Sequence, residues 1–285
     1  MNKILWLSCL FLLISLGSHC QEISLESTNC YGGDGDDIAY SIYKTLDNGL
    51  ILAGSSNSLN GNISNHPFLG DDFWIVKLDN QMNIEWEKTY GGSFEEIAYS
   101  IIQLLDSSYV VVGSSKSQDG DVSFHYGLND FSDCWIIKLD KLGNLQWEKS
   151  LGGSQIDYGV KILQDGNELV VLGVSSSNDG DVTGHHGDTS NFDNWVVKLD
   201  LNGNVIWAYS FGGSLYDFPG DIIKTDFGYA VCGSSGSNDG DVTNHFGLTG
   251  NSFLFSDVWV YIINSNGSLL QQNSFGGTSP DEAVS

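Results

Sequence analysis

The sequence predicts an all-β protein, a β-propeller of four-stranded antiparallel blades, because one unit of about 60 residues repeats along the chain and each unit holds four short apolar segments. An apolar or aromatic residue followed by two glycines marks each repeat, at Tyr31, Tyr90, Leu151, Phe211 and Phe275. These marks are 59, 61, 60 and 64 residues apart. The segments between them lack the apolar spacing of a helix, so strands are the better prediction.

The second repeat shows the four predicted strands of a blade. Strand A runs from Ile97 to Leu105 and strand B from Tyr109 to Gly113. A long polar loop, Ser114 to Asp133, leads to strand C at residues 134–139, and strand D follows at 145–149. Polar turn residues separate the segments, as expected for antiparallel neighbours.

The repeats divide the chain into blades. We expect a signal peptide at residues 1–20 and propeller repeats over 21–285, with complete blades at about 31–89, 90–150, 151–210 and 211–274 and the start of another at 275–285. Residues 23–28 stand where a strand D would lie before the first glycine pair. We therefore expect a truncated piece of a larger propeller with five or more blades.

The N-terminus predicts export. Lys3 supplies a positive charge, residues 4–16 are almost wholly apolar, and small residues precede Cys20. This is the pattern of a secretory signal peptide, so the protein is expected to be secreted or on the outer cell surface. A lipoprotein anchored at Cys20 is the alternative. No later segment is long and apolar enough for a membrane span.

Charge narrows the range of partners. The chain has 36 acidic and 11 basic residues, a net charge of −25, and every basic residue is Lys. The lack of Arg, together with this charge, argues strongly against nucleic acid or an anionic membrane surface as a partner. Neutral glycans, proteins and divalent cations remain as partners.

Three B–C loops contain Asp-Gly-Asp, and each loop ends in a further Asp. Carboxylates spaced in this way around a Gly are typical oxygen ligands of calcium, which is therefore the candidate cofactor. Turns closed by Asp side chains around a positive-φ glycine are the other interpretation, and the one that loops of this length favour because they need internal hydrogen bonds. The candidate calcium ligands are Asp119, Asp121, Asp133, Asp179, Asp181, Asp193, Asp239, Asp241 and Asp257.

Aromatic and His residues in the same loops are candidates for ligand binding, because aromatic faces stack on sugar rings. These candidates are His125, Tyr126, His185, Phe192, His245 and Phe246. The Trp residues that recur in strands C and D are expected to pack between blades: Trp74, Trp86, Trp135, Trp147, Trp195, Trp207 and Trp259. Lys77, Lys138 and Lys198 each precede an Asp by two residues, which predicts solvated pairs.

The segment Leu139-Asp140-x-x-Gly143-x-x-x-Trp147, repeated from Leu199 to Trp207, resembles the tryptophan-docking repeat of quinoprotein propellers. The whole unit is similar to secreted repeat propellers of Bacteroidetes-type bacteria. The resemblance covers residues 31–277 and implies architecture and location rather than an activity.

The sequence therefore predicts a binding or interaction module that recognises an extracellular glycan or protein through its B–C loops, stabilised by calcium. A sialidase would need an Arg cluster that the chain lacks, and no catalytic residues stand out, so we predict that the protein is not an enzyme. A carbohydrate-active hydrolase using acids on the same face, and a purely architectural repeat module, are the alternatives.

Overall fold

The computed structural model describes residues 28–283 except 67, 69, 129, 248 and 250–254. The predicted signal peptide and residues 23–27 of the strand expected at 23–28 lie outside this range. Among the described residues there is no helix long and apolar enough to cross a membrane.

In the described part of the chain, sixteen strands form four antiparallel sheets of four, which confirms the predicted four blades. Each sheet is built from consecutive strands paired with their sequence neighbours, so blade 1 holds β1 to β4, blade 2 β5 to β8, blade 3 β9 to β12 and blade 4 β13 to β16. The strands are β1 Asp37–Lys44, β2 Leu50–Ser56, β3 Asp72–Leu78, β4 Ile84–Tyr90, β5 Glu96–Gln103, β6 Tyr109–Ser115, β7 Asp133–Leu139, β8 Leu145–Leu151, β9 Asp157–Asp165, β10 Glu168–Ser175, β11 Asp193–Asp200, β12 Val205–Phe211, β13 Asp217–Thr225, β14 Gly228–Ser235, β15 Asp257–Asn264 and β16 Leu269–Phe275.

Apolar side chains from neighbouring blades form the cores between them. Trp135 of blade 2 packs with Ile51, Phe73 and Ile75 of blade 1 and has no exposed surface. Trp195 and Trp259 occupy the same position between blades 2 and 3 and between blades 3 and 4. Burying one such ring contributes about 5 kcal/mol of transfer free energy, before the entropy cost of ordering it.

The first strands of successive blades lie beside each other around a central channel. β1 neighbours β5, β5 neighbours β9 and β9 neighbours β13. Each of these four strands has a register shift that leaves one residue unpaired, at Tyr40, Tyr99, Val160 and Gly220. Such bulges bend a strand and redirect its side chains, here at the wall of the channel.

Candidate functional site

The B–C loops and the glycine pairs lie on one face, which we call the loop face. The amide of Asp121 donates to the carbonyl of Gly91, and Asp181 and Asp241 donate in the same way to Gly152 and Gly212, each at 2.8 Å. Each loop is thereby held against the glycine pair that opens its own blade.

The first Asp of each Asp-Gly-Asp fastens this arrangement. Asp119 accepts hydrogen bonds from the amide and hydroxyl of Ser93, at 2.7 and 2.6 Å, and Asp239 accepts the same two bonds from Ser214, both at 2.7 Å. Asp179 accepts the amide of Ser154. These bonds give the first Asp a structural role, and calcium binding at these loops stays a prediction.

The second Asp of the motif faces the first glycine of the pair. Oδ2 of Asp121 lies 3.2 Å from the amide of Gly91, and Oδ2 of Asp241 lies 3.4 Å from that of Gly212. Burial raises the pKa of both carboxyl groups.

The Asp that closes each loop is buried and anchors the loop. Asp133 accepts the amide of Tyr126 at 2.6 Å, Asp193 that of His186 at 2.7 Å, and Asp257 that of Phe246 at 2.5 Å.

The candidate His residues point inward to the same carboxylates. Nδ1 of His125 lies 3.2 Å from Asp133, and the side chain is fully buried. His185 and His245 are placed alike, at 3.5 Å from Asp193 and 3.3 Å from Asp257. The three rings therefore brace their loops.

A second acidic residue joins each loop-closing Asp at the boundary with the next blade. We call the two a junction carboxyl pair; the three pairs between complete blades are Asp72 with Glu96, Asp133 with Asp157, and Asp193 with Asp217, and Asp281 joins Asp257 in the same way after blade 4. Burial raises the pKa of Asp72 to about 8 and those of Asp157 and Asp217 to about 7. The three pairs are closed off from solvent, so they cannot touch a substrate.

Within the described ranges, no three His, Cys, Asp or Glu side chains are grouped so that they could hold a metal ion.

The candidate aromatic residues are more exposed to solvent than the Asp residues that close the same loops. Tyr126 contacts Phe124 edge to face at 4.7 Å between ring centroids, and Phe246 is 47% exposed. Phe192 is half-buried and packs against Tyr216 at 5.6 Å and Phe218 at 5.3 Å.

The central channel holds a site that the sequence analysis missed. Its cavity of about 630 Å³ is lined by the first strands of blades 1, 2 and 3 and by Gly220 of blade 4. Tyr40 touches Tyr99 at 5.3 Å between ring centroids, and Tyr99 touches Tyr158 at 5.8 Å. Burial raises the pKa of Tyr158 to about 12, and its neutral hydroxyl can donate a hydrogen bond.

The loop-face mouth of this channel is aromatic on one side and acidic on the other. Phe192 and Tyr216, from blades 3 and 4, immediately precede Asp193 and Asp217. In blades 1 and 2 the corresponding residues, before Asp72 and Glu96, are Asp71 and Glu95.

Asp71 and Glu95 are close in space as well as equivalent in the repeat. The amide of Glu96 donates to the carbonyl of Asp71 at 2.6 Å. Oδ1 of Asp71 accepts Nδ2 of Asn57 at 2.9 Å, and Glu95 forms an ion pair with Lys116 at 2.8 Å. A comparison of the residues that precede each recurring acid in the four repeats could have identified Asp71 and Glu95 from the sequence.

The recurring Trp residues occupy two kinds of site. The strand C set is buried: Trp135, Trp195 and Trp259 lie in the cores between blades, and Trp74 clusters with residues of blade 1. On strand D, Trp86 and Trp147 lie against the turn glycines Gly143 and Gly203 of the next blade, and Trp207 lies against Gly267.

The expectation of solvated lysines is wrong. Lys77 is 2% exposed and forms ion pairs with Asp47 at 3.0 Å and Glu85 at 2.7 Å, while the side chain of Lys198 is almost as buried and pairs with Glu168. Each of these ammonium groups is buried, and its acidic partner comes from another strand or turn of the same blade.

No protein-family model and no curated protein matches the chain. Among solved structures, a putative glycoside hydrolase from Parabacteroides distasonis is 8% identical, with 87% of this chain and 74% of that chain covered and a TM-score of 0.41. β-1,2-Mannobiose phosphorylase from Listeria innocua is 12% identical, with 88% and 76% covered and a TM-score of 0.44. The Pan2 WD40 domain from Neurospora crassa is 12% identical, with 83% and 66% covered and a TM-score of 0.42.

These matches correct one prediction. Several of the matched structures are described as glycoside hydrolases or a phosphorylase, which contradicts our prediction that the chain is not an enzyme. Similarity at this level does not transfer any activity to this chain.

Proposed function

We propose that this chain is a carbohydrate-active propeller that takes a neutral glycan into its central channel and hydrolyses it with carboxylates at the loop-face mouth. The observation that carries the proposal is a row of touching tyrosines: Tyr40 and Tyr99 line a cavity of about 630 Å³, and Tyr158 packs against Tyr99. Tyrosine offers an apolar face to a sugar ring and a hydroxyl to its polar edge.

Charge supports a neutral glycan. With a net charge of −25 and no Arg, the protein would repel uronates and sulfated sugars and has no bidentate partner for them. The half-buried rings of Phe192, Tyr216 and Phe218 extend the apolar surface to the mouth, where a longer chain could continue.

Asp71 and Glu95 are the acids we assign to hydrolysis. Glycosidases use two carboxyl groups about 5–10 Å apart, one donating a proton to the leaving oxygen and the other activating water or attacking the sugar. Both residues border the mouth, and the side chain of Glu95 is 42% exposed, so a substrate can reach it. The recognition surface predicted from the sequence is the same face, and the predicted extracellular location would give it access to glycans.

The first experiment measures binding. Soluble neutral oligosaccharides are titrated into the protein by calorimetry, and Tyr99→Ala should lose at least tenfold in affinity. Phe227→Ala removes a 72% exposed aromatic residue at the far end of blade 4 and should bind like the wild type. If the wild type binds none of a broad panel, the proposal fails.

The second experiment measures release of reducing ends. Asp71→Asn and Glu95→Gln should each lower turnover by at least a hundredfold while binding is kept, whereas Asp140→Asn, on an exposed C–D turn, should not. Binding by the wild type without turnover would refute the hydrolytic role and leave recognition alone.

A further inference from the structure

The junction carboxyl pair between blades 1 and 2 brings two buried acids onto one glycine. Asp72 begins β3 and Glu96 begins β5, and neither has exposed surface. A Cβ atom on Gly91 would lie 2.5 Å from Oδ1 of Asp72 and 2.4 Å from Oε2 of Glu96. The two carboxyl oxygens therefore face the same small space between the blades.

The two acids differ in their hydrogen bonds. Glu96 accepts the amide of Gly92 at 2.8 Å and the hydroxyl of Ser115 at 2.7 Å. Both carboxyl oxygens of Asp72 are buried without a hydrogen-bond partner. Donors stabilise the ionised form of Glu96, whereas Nε2 of His66 lies 3.3 Å from Oδ2 of Asp72 without forming a hydrogen bond to it.

Two buried carboxylates that face one small space need a proton or a cation between them. A calcium ion takes six to eight oxygen ligands, and the described residues offer no group of three acidic or His side chains that could hold a metal ion. The proton is the better occupant of the space.

We propose that Asp72 and Glu96 share one proton, carried on Oδ1 of Asp72 and donated to Oε2 of Glu96, and that this bond holds blade 1 against blade 2. The bond is complete in mildly acidic surroundings and is lost as the pH rises, which makes the junction a pH-dependent clasp. The proposal does not depend on the proposed function, although Asp71 and Glu95 are the immediate chain neighbours of the two acids.

The acidic groups around Asp72 also favour its protonated form. Burial raises the pKa of Asp72 to about 8, with further contributions from Glu96, Asp121 and Asp71, and burial also raises that of Glu96. His66 lies 3.3 Å from Asp72, but burial lowers its pKa, so it does not supply a lasting positive charge.

The sign of the effect follows from linkage. An Asp in the unfolded chain has a pKa of about 3.9, so between about pH 4 and pH 8 the folded protein binds more protons than the unfolded chain. Stability must therefore fall as the pH rises through this range.

Asp72→Asn tests the clasp, because an amide nitrogen in place of Oδ1 donates the same hydrogen bond at every pH. The wild type should lose melting temperature between about pH 5.5 and about pH 8, and the variant should lose clearly less. Asp79→Asn, in the exposed turn after the same strand, should keep the wild-type slope. An Asp72→Asn slope equal to that of the wild type would overturn the proposal.

Infrared spectroscopy gives a second test on the unmodified protein. A protonated carboxyl group has a C=O stretching band that carboxylates lack, and this band should be present at neutral pH and weaker in Asp72→Asn. If the band is absent and calcium raises the melting temperature at pH 8 in the wild type but not in the variant, the occupant is a cation and the proton clasp is refuted.

Discussion

One blade lacks a hydrogen-bond acceptor that the other three possess, and supplying it should stabilise the protein. The indole Nε1 of the strand C Trp donates to a strand D side chain at 3.1 Å in blade 1, 3.0 Å in blade 2 and 3.1 Å in blade 4. The acceptors are Glu87, Glu148 and Gln272. In blade 3 the Nε1 of Trp195 is buried and has no partner, because Ala208 occupies the acceptor position.

Ala208→Gln should supply the missing bond. Ala208 pairs with Val197 as Gln272 pairs with Tyr261, so the new side chain would start from an equivalent backbone position. A buried unsatisfied donor costs about 1–3 kcal/mol and a typical hydrogen bond returns about 0.5–1.5 kcal/mol, so we expect a gain of about 1 kcal/mol. For a chain of this size the melting temperature should rise by about 2–4 °C.

Urea and thermal unfolding measure this gain, with two controls. Ala208→Asn is one methylene too short to reach the indole and should not stabilise. Glu148→Ala creates the same defect in blade 2 and should cost about 1–2 kcal/mol. If Ala208→Gln gains nothing and Glu148→Ala loses nothing, the buried indole bonds do not contribute to stability and the reasoning is refuted.

Two further outcomes are expected from the loop face. Gly92→Ala would place a Cβ atom 2.6 Å from the carbonyl oxygen of Asp119 and should lower the free energy of unfolding, measured in urea, by about 2 kcal/mol. Gly277 has the same repeat position but no atom within 4 Å of a Cβ, so Gly277→Ala should change that free energy by less than about 0.5 kcal/mol. Equal effects of the two substitutions would contradict the steric argument. If calcium binds the Asp-rich loops, it should raise the melting temperature of the wild type and raise that of Asp193→Asn less, and a wild-type melting temperature unchanged by EDTA would remove the calcium prediction.

The strands could be predicted from the sequence because each blade alternates short apolar runs with Gly- and Asp-rich turns. Strand A of blade 2, predicted from Ile97 to Leu105, lies at Glu96–Gln103, and strand C, predicted from Cys134, begins one residue earlier. The same periodicity recurs four times, so local ambiguity in one repeat is resolved by the others.

The site was harder to predict because its residues meet across repeats. Tyr99 belongs to an apolar strand, and only the unpaired position in that strand and the neighbouring blades bring it onto Tyr40 and Tyr158. Likewise, Asp72 and Glu96 lie 24 residues apart in different blades, and no local pattern shows that one has donors and the other has none.

Each sheet of the described residues is made from one continuous stretch of chain, and none of these sheets takes a strand from another repeat. Unequal crossing-over at the paired glycines would therefore add or delete a whole sheet and leave every remaining strand ladder intact. Such a gene could gain or lose one blade at a time. The number of blades would then change the diameter of the propeller and leave the hydrogen bonds within each sheet unchanged.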